Sequence, residues 1–257
     1  MLVARQKLQQ NFSRAAAEYD ARAEFQHIQT RRVLDAALML LPECATLADI
    51  GCGTGYFAFA ARERRPAWRV FGVDISTGMC DVAAARCTAI TGDAARLPLA
   101  DGCVDAAVSS LCYQWVEDHT AAFAELARVL KPGGRAVIAT LGAATLRELR
   151  ECAVSAEMSL GLLPMRAFAE TKTALTHSGF EISYADYALE TCHYPSVAVL
   201  MDSMRSIGAG NNFAHATRGF LSPKRWAMMV ADYEKHRTPH GIPATWEHHF
   251  FVLHKPL

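Results

Sequence analysis

The chain lacks any long apolar run, any C-x-x-C pair and any excess of charge of one sign. Its longest uninterrupted apolar segments fall far short of the ~20 residues that a membrane helix needs. With 26 basic and 26 acidic residues, it has no global field that favours nucleic acid or a membrane surface. We therefore expect neither nucleic acid nor membrane among its partners.

The cysteines and the N-terminus point to the compartment. Most of the eight cysteines lie within apolar segments, where a thiol behaves as a small hydrophobe, so we expect buried, reduced cysteines rather than disulfides or a metal site. Arg5 and Lys7 are not followed by the apolar core of a signal peptide. These features predict a cytoplasmic protein that holds no metal.

What the sequence does contain is a regular alternation of apolar segments and helix-like stretches. Five strand candidates lie at 46–52, 68–75, 87–91, 104–111 and 135–141. Helix-like stretches lie between them at 56–65, 77–86 and 119–130, and Pro132-Gly133-Gly134 forms a turn before the fifth strand. Two later strand candidates lie at 180–191 and 246–253. This order predicts an α/β fold with a doubly wound, seven-stranded, mostly parallel sheet.

The remaining segments are predicted to flank this sheet. We predict one domain over 1–257, with the cofactor-binding core at 46–142. Residues 11–41 are alanine-rich and are interrupted by neither glycine nor proline until Pro42, which predicts a helical cap. Helical stretches at 196–207 and 223–236, joined by a polar loop at 208–219, predict a lid inserted at 192–245.

The most informative stretch is Asp49-Ile50-Gly51-Cys52-Gly53-Thr54-Gly55. An apolar segment runs into three glycines at alternate positions, and a helix-like stretch follows, an arrangement that lets a backbone close on a nucleotide-like ligand. Dinucleotide fingerprints instead read G-x-G-x-x-G and place a phosphate at the helix N-terminus. The carboxylate of Asp49 disfavours a phosphate there. It favours a cationic group, such as the amino end of S-adenosylmethionine.

Further acidic residues stand at the ends of the following strands. Asp74 can take both ribose hydroxyls, and Asp93 can accept a hydrogen bond from an adenine amino group. Leu111 lies near the expected position of the methyl group. Because the carboxyl ends of parallel strands meet at one edge, these residues are predicted to converge on one crevice. The predicted cofactor-binding set is Gln26, Asp49, Gly51, Gly53, Asp74, Ile75, Met79, Asp93, Ala94 and Leu111.

Several motifs of the chain resemble those of a known family. DIGCGTG, VFGVDIS, TGDAARLPL, VDAAVSSLCYQW and RVLKPGG are similar to the core of class I S-adenosylmethionine-dependent methyltransferases. NFSRAAAEYDARAEFQ, ATLRELR, YPSVAVLMDSMRSIGAGN and LSPKRW resemble the malonyl-[acyl-carrier-protein] O-methyltransferases of biotin synthesis. The resemblance implies esterification of the free carboxylate of a malonyl thioester. The implied partner is malonyl-acyl carrier protein, with malonyl-coenzyme A as an alternative. Leu141, Cys112-Tyr113 and the loop 208–212 depart from the family pattern.

Four residues are candidates for the reacting end of the site. Tyr19 of the cap can close over the reacting centre, and Arg147 can position the substrate carboxylate as a guanidinium does. Tyr113 and Trp115 are predicted to wall the acyl pocket, although core packing accounts for them nearly as well. No general base is needed, because a carboxylate is already ionised at neutral pH. Arg150 is predicted to lie on the surface.

Other interpretations remain open. Arg205, Arg218, Lys224 and Arg225 form a basic cluster that suits an acidic carrier protein or simply a solvated lid face. A free small diacid such as aconitate, or a quinone-precursor carbon, is an alternative acceptor. A protein that binds S-adenosylmethionine without catalysis is the alternative from another functional class. The glycine spacing disfavours a nicotinamide dehydrogenase.

Overall fold

Seven strands form the central sheet of the computed structural model, which describes residues 2–158, 160, 162–209 and 222–257. They are β1 (Thr46–Ile50), β2 (Arg69–Asp74), β3 (Thr88–Thr91), β4 (Val104–Ser110), β5 (Leu130–Leu141), β6 (Glu181–Tyr194) and β7 (Ile242–His254). Their order is β3-β2-β1-β4-β5-β7-β6. Strands β1 to β5 are parallel, and β7 is antiparallel to β5 and β6. The prediction of a doubly wound, mostly parallel sheet is confirmed.

The helices lie between the strands and at the N-terminus. They are α1 (Leu2–Ala15), α2 (Tyr19–Arg22), α3 (Glu24–Leu40), α4 (Tyr56–Arg64), α5 (Thr77–Ala83), α6 (His119–Val129), α7 (Arg147–Ser155), α8 (Phe168–His177), α9 (Val197–Ser206) and α10 (Pro223–Glu234). Side-chain caps fix several starts: Ser76 accepts from the Met79 amide before α5, and Asp118 accepts from the Ala121 amide before α6.

Hydrophobic packing covers both faces of the sheet. One core joins α3 and α4 to the sheet through residues such as Val33, Phe57 and Val108. A second joins α6 and α8 through Phe123, Leu126 and others. Strand β1 is buried along most of its length, as parallel strands covered on both faces are, and its buried residues are apolar except for Asp49. A third cluster joins α7, α9, α10 and β7 beside the sheet.

The N-terminal region differs from the single helical stretch predicted over 11–41. It begins earlier, at Leu2, and is divided into α1, α2 and α3. The chain leaves helical geometry at Ala23, which is completely buried, with φ −97° and ψ 35°. Helix α2 is bonded to the loop after β1, where the Thr54 hydroxyl donates to the Asp20 carboxylate at 2.6 Å. The prediction of one uninterrupted helical stretch is wrong.

Strand boundaries also differ at β5, β6 and β7. Leu130 already pairs with Val104, so β5 includes the predicted Pro-Gly-Gly turn, and its register shifts before Arg135. Strands β6 and β7 extend into the predicted insertion. Arg218 and most of the predicted loop 208–219 lie outside the described residues. Within the described part of the chain, no helix is both long enough and apolar enough to span a membrane.

Candidate active site

A cavity of about 1190 Å³ opens at the carboxyl ends of the parallel strands. Gly51 and Gly53 follow β1, Asp74 ends β2, Asp93 follows β3 and Leu111 follows β4, and all of them line it. The position agrees with the rule that doubly wound sheets bind ligands beyond the carboxyl ends of their strands. Ile75, Met79 and Ala94 line the same cavity.

The glycine turn after β1 is held by the neighbouring strand. The amides of Gly51 and Cys52 both donate to the Val73 carbonyl, at 2.7 and 3.1 Å. Gly51 has φ +75°, and a Cβ there would lie 2.4 Å from the Cys112 Cβ, so only glycine fits. A Cβ on Gly53 would meet nothing within 4 Å. The backbone of Gly53 therefore faces open space in which a ligand can approach closely.

Asp74 connects this turn to β2. Its carboxylate accepts from the Gly53 amide at 2.9 Å and from the Ser76 amide at 2.8 Å. Burial raises the pKa of Asp74, while these two amide hydrogen bonds oppose the shift. Two backbone segments thus hold the Asp74 carboxylate, the turn after β1 and the residues that follow β2.

Asp93 lines the same cavity just after β3. It accepts from the Ala95 amide at 3.0 Å and pairs with Arg5 of α1. The contact brings the start of the N-terminal region over the part of the cavity that follows β3.

Asp49 lies beneath the turn rather than on the cavity wall. It is 4% exposed and is absent from the residues that line the cavity. Burial, and secondarily the nearby Asp74 carboxylate, raises the pKa of Asp49 to about 7. The structure thus places Asp49 beside the turn that lines the cavity, and its contact with a ligand stays a prediction.

Two leucines of the cavity wall adopt left-handed backbone conformations. Leu111 has φ +57° and Leu146 has φ +58°. Such conformations cost roughly 1–3 kcal/mol and persist only where the surroundings fix them. The Leu111 amide donates to the Ala139 carbonyl at 2.8 Å, and its carbonyl accepts from the Gln114 amide group at 2.7 Å. The Leu146 amide donates to the Thr245 carbonyl at 2.7 Å.

The N-terminal helices roof the cavity. Tyr19, Gln26, Phe12 and Phe25 all line it. Burial first, and then the Asp74 and Asp20 carboxylates, raises the pKa of Tyr19, so its hydroxyl stays protonated at neutral pH. Phe12 packs edge-on against Trp115, with ring centroids 5.6 Å apart. The roof therefore contributes three aromatic rings to the cavity, together with polar side chains such as Arg5 and Gln26.

Part of the cavity wall is apolar. Leu146 and Met204 belong to the cluster formed by α7, α9, α10 and β7, and Leu162 and Trp246 pack against it. Phe25 of the roof meets Trp246 at a centroid distance of 4.9 Å. We call this part of the cavity, lined by Phe25, Leu146, Leu162, Met204 and Trp246, the apolar compartment.

Arg150 is the cationic residue that α7 presents to this cavity. Its guanidinium donates to the Thr145 carbonyl at 3.1 Å and to the Leu163 carbonyl at 2.8 Å. Among the described residues, it has no carboxylate partner. Burial lowers its pKa somewhat, yet the group remains a cation. The prediction that Arg150 is a surface residue is wrong.

Arg147, by contrast, is not brought to the cavity. Its side chain is 51% exposed and contacts the adjacent Glu148. On α7, the buried residues Leu149 and Ala153 mark the inner face, which Arg150 borders. The spacing of each arginine from the apolar residues of this amphipathic helix distinguishes the two. The prediction from sequence did not take that spacing into account.

Tyr113 also lies away from the cavity. It is completely buried, and its ring packs 4.8 Å from that of Phe123 in the core of α6 and α8. Of the two predicted pocket walls, only Trp115 lines the cavity. Within the described residues, no group of three or more potential ligands could hold a metal ion.

Known proteins share this architecture. A family model described as a methyltransferase domain matches residues 48–138. Among solved structures, the YcgJ protein of Bacillus subtilis superposes with a TM-score of 0.62 at 18% identity, covering 88% of this chain and 99% of that one. The [4+2]-cyclase SpnF superposes with a TM-score of 0.56 at 22% identity, covering 88% and 81%. These structures establish the fold alone.

Full-length relatives are more specific. The malonyl-[acyl-carrier protein] O-methyltransferase of Serratia marcescens is 36% identical over 234 residues, covering 90% of this chain and 89% of that protein. The biotin biosynthesis bifunctional protein BioHC of Saccharophagus degradans is 33% identical over 97% of this chain. The present chain spans only 46% of that bifunctional protein.

The fold and the site define a class I S-adenosylmethionine-dependent methyltransferase. The extent of the match to full-length relatives narrows the class further. The chain belongs to the malonyl-[acyl-carrier protein] O-methyltransferase family.

The raised pKa of Asp49 makes a prediction about stability. An unfolded aspartate titrates near pH 3.9, whereas folded Asp49 titrates at about 7. The stabilisation is fully present below about pH 4 and is lost as the pH rises through 7. We expect the free energy of unfolding to fall by up to about 4 kcal/mol across this window. Asp49→Asn should remove the part of this fall that Asp49 contributes, as measured by urea unfolding between pH 5 and 8.

Asp105→Asn is the matched control. Hydrogen bonds from Lys131 and then Thr46 hold the pKa of Asp105 below its usual value, so it titrates outside this window. Its substitution should leave the slope between pH 5 and 8 unchanged. An Asp49→Asn protein that keeps the wild-type slope would contradict the assignment.

Proposed function

We propose that the protein transfers a methyl group from S-adenosylmethionine to the free carboxylate of malonyl-acyl carrier protein, giving a methyl ester that enters biotin synthesis. The observation that carries the proposal is Arg150, a half-buried guanidinium beside the apolar compartment. Among the described residues it has only backbone carbonyls as partners. The Arg150 guanidinium and the apolar compartment together suit a substrate that combines an anion with an acyl chain. The names of the full-length relatives support the same acceptor.

The residues around the glycine turn fit S-adenosylmethionine. Gly53 leaves room for close backbone approach, and Asp74 and Asp93 offer acceptors for ribose hydroxyls and an adenine amino group. The raised pKa values of Asp49 and Asp74 mean that a nearby cation would be favourable, since it would offset the cost of burying these carboxylates. When bound, the cofactor supplies a methyl group on a cationic sulfur.

The chain's own residues would then position the acceptor and exclude water. The acceptor carboxylate is ionised at neutral pH, because carboxyl groups titrate near 4, so no general base is required. The protonated Tyr19 hydroxyl can donate to an acceptor oxygen, and Arg150 can hold the oxygen that does not react. The aromatic roof keeps the reacting groups in a water-poor, preorganised geometry, which favours a step that neutralises opposite charges.

The character of the apolar compartment argues against a free diacid. Aconitate-type acids carry several carboxylates and little apolar surface. Arg150 can pair with one of these carboxylates, but the leucines, methionine and aromatic rings that line the compartment offer no partner to the others. A carrier-bound acyl chain buries its apolar part there.

Docking of an acidic carrier is a further part of the proposal. Arg205 and Arg225 of the basic cluster are already paired with Asp202 and Glu157, at 2.8 and 2.9 Å, and Lys224 is exposed at the start of α10. Exposed ion pairs contribute little stability. Acidic residues of a carrier can therefore replace these partners at small cost.

The function is tested by an acceptor screen with labelled S-adenosylmethionine. We expect transfer to malonyl-acyl carrier protein, weaker transfer to malonyl-coenzyme A and none to aconitate. Mild alkali should hydrolyse the product ester and release the labelled methyl group as methanol, whereas N-methyl and C-methyl products keep the label. Cofactor binding without transfer to any of these acceptors would overturn the enzymatic proposal.

Asp74 is predicted to matter for the cofactor. Asp74→Ala removes the acceptor for ribose hydroxyls and should weaken S-adenosylmethionine binding about 10- to 100-fold, the loss expected for hydrogen bonds to a charged group. Isothermal titration calorimetry measures this affinity, with Asp105→Asn as a variant distant from the cavity. Undiminished affinity in Asp74→Ala would exclude the assigned contact.

The two arginines of α7 should differ in their effect on the acceptor. Arg150→Gln should raise the KM for malonyl-acyl carrier protein about 10- to 100-fold, because a charge-assisted contact is lost. The affinity for S-adenosylmethionine should change little. Arg147→Gln, on the exposed face of the same helix, should retain wild-type kinetics. The reverse pattern would assign the substrate carboxylate to Arg147.

A further inference from the structure

Asp20 of α2 reaches across to the glycine turn. Its carboxylate accepts a hydrogen bond from the Thr54 hydroxyl at 2.6 Å. Thr54 lies between Gly53 and Gly55 and is only 2% exposed. A side chain of the roof is therefore bonded directly to the turn that shapes the cavity floor.

Arg86, in the turn between α5 and β3, joins the same contact. Its guanidinium pairs with the other Asp20 oxygen at 2.7 Å. It also donates to the Thr54 carbonyl at 3.1 Å and to the Thr54 hydroxyl at 3.2 Å. One guanidinium thus holds both the carboxylate of the roof and the backbone of the turn. We call Asp20, Thr54 and Arg86 the cap clamp.

The clamp is sheltered and charged. The side chains of Arg86 and Asp20 are 25% and 32% exposed, respectively. Burial alone would raise the pKa of Asp20, but hydrogen bonds from Thr54 and Arg86 hold it below its usual value. The His27 ring lies 3.4 Å from the same carboxylate, and burial lowers its pKa, so it is neutral at pH 7. Asp20 is therefore an anion whose strong partners are Thr54 and Arg86.

The clamp adjoins the groups that line the cavity. Tyr19 directly precedes Asp20 and lines the cavity, whereas Gly53 directly precedes Thr54 and donates to Asp74. Fixing Asp20 to Thr54 therefore fixes the Tyr19 hydroxyl relative to the Gly53–Asp74 floor. Helix α2 has only four residues and lacks a side-chain cap, so its position depends on such tertiary contacts.

We propose that Asp20 is a positioning residue, which acts through Thr54 and Arg86 to hold the N-terminal roof, and with it Tyr19, in register with the cofactor turn. Asp20 itself is not among the residues that line the cavity. The kinetic part of this inference rests on the proposed methyl transfer, whereas the coupling between roof and turn does not.

Two near-isosteric variants test the clamp. Asp20→Asn removes the charge and Thr54→Val removes the hydroxyl, each with little change of volume. At saturating S-adenosylmethionine we expect either variant to lower kcat about 10- to 100-fold, since small displacements of a positioned group cost this much. The KM for malonyl-acyl carrier protein should change far less. The double variant should lose little more than the worse single variant, because both changes break one interaction.

Hydrogen exchange gives a readout that is independent of turnover. In the cofactor-free protein, amides of residues 19–30 should exchange at least about tenfold faster in Asp20→Asn, because the roof opens more often. Arg22→Gln is the matched control on the same short helix. It breaks the exposed Arg22–Glu18 pair and should leave both kcat and exchange unchanged.

The outcomes separate this inference from the function. If the wild-type protein methylates none of the acceptors, the function fails, and the exchange experiment still decides the coupling. Asp20→Asn could instead lower only the melting temperature. If its kcat and its hydrogen exchange, both measured well below the melting temperature, equal those of the wild type, the clamp is merely structural and the proposal is wrong. Fully additive losses in the double variant would likewise overturn it.

Discussion

The site depends on one backbone constraint: a single carbonyl near the end of β2 accepts hydrogen bonds from two successive amides. Val73 binds Gly51 and Cys52 in this way, and Asp74 then binds the amide of Gly53. These contacts force the chain after β1 through left-handed conformations that only glycine adopts at little cost. The cavity floor therefore follows from the parallel pairing of β1 with β2. Any change in that register would remove both the turn and its space for a ligand.

Electrostatics in the site are organised around that turn. Asp49 lies beneath it, Asp74 braces it and Asp20 reaches it from the roof. The first two carboxylates have raised pKa values because burial disfavours their charge, whereas Asp20 has a lowered one because Thr54 and Arg86 compensate it. Acidic groups without full compensation favour a cationic ligand. Arg150 supplies a positive charge to the same cavity.

The cofactor half of the site follows from local sequence, and the sequence interpretation located most of it. Gly51, Gly53, Asp74, Asp93 and Leu111 converge because strand ends in a parallel sheet share one edge. The acceptor half was harder to predict. Arg147 and Arg150 have the same chemistry three residues apart, and only their placement on α7 relative to Leu149 and Ala153 separates them. Tyr113 likewise became a core residue because its ring packs on Phe123.

The sequence by itself determined the order of strands and helices, the glycine turn and the family to which the chain belongs. These features are encoded locally, by hydrophobic periodicity and by residues with special backbone freedom. The tertiary structure alone decided which charges face the cavity. It brought Asp20 to Thr54 and Arg86, divided the N-terminal helix, and placed Arg150 rather than Arg147 beside the apolar compartment. Such pairings join distant residues through packing, and no local pattern specifies them.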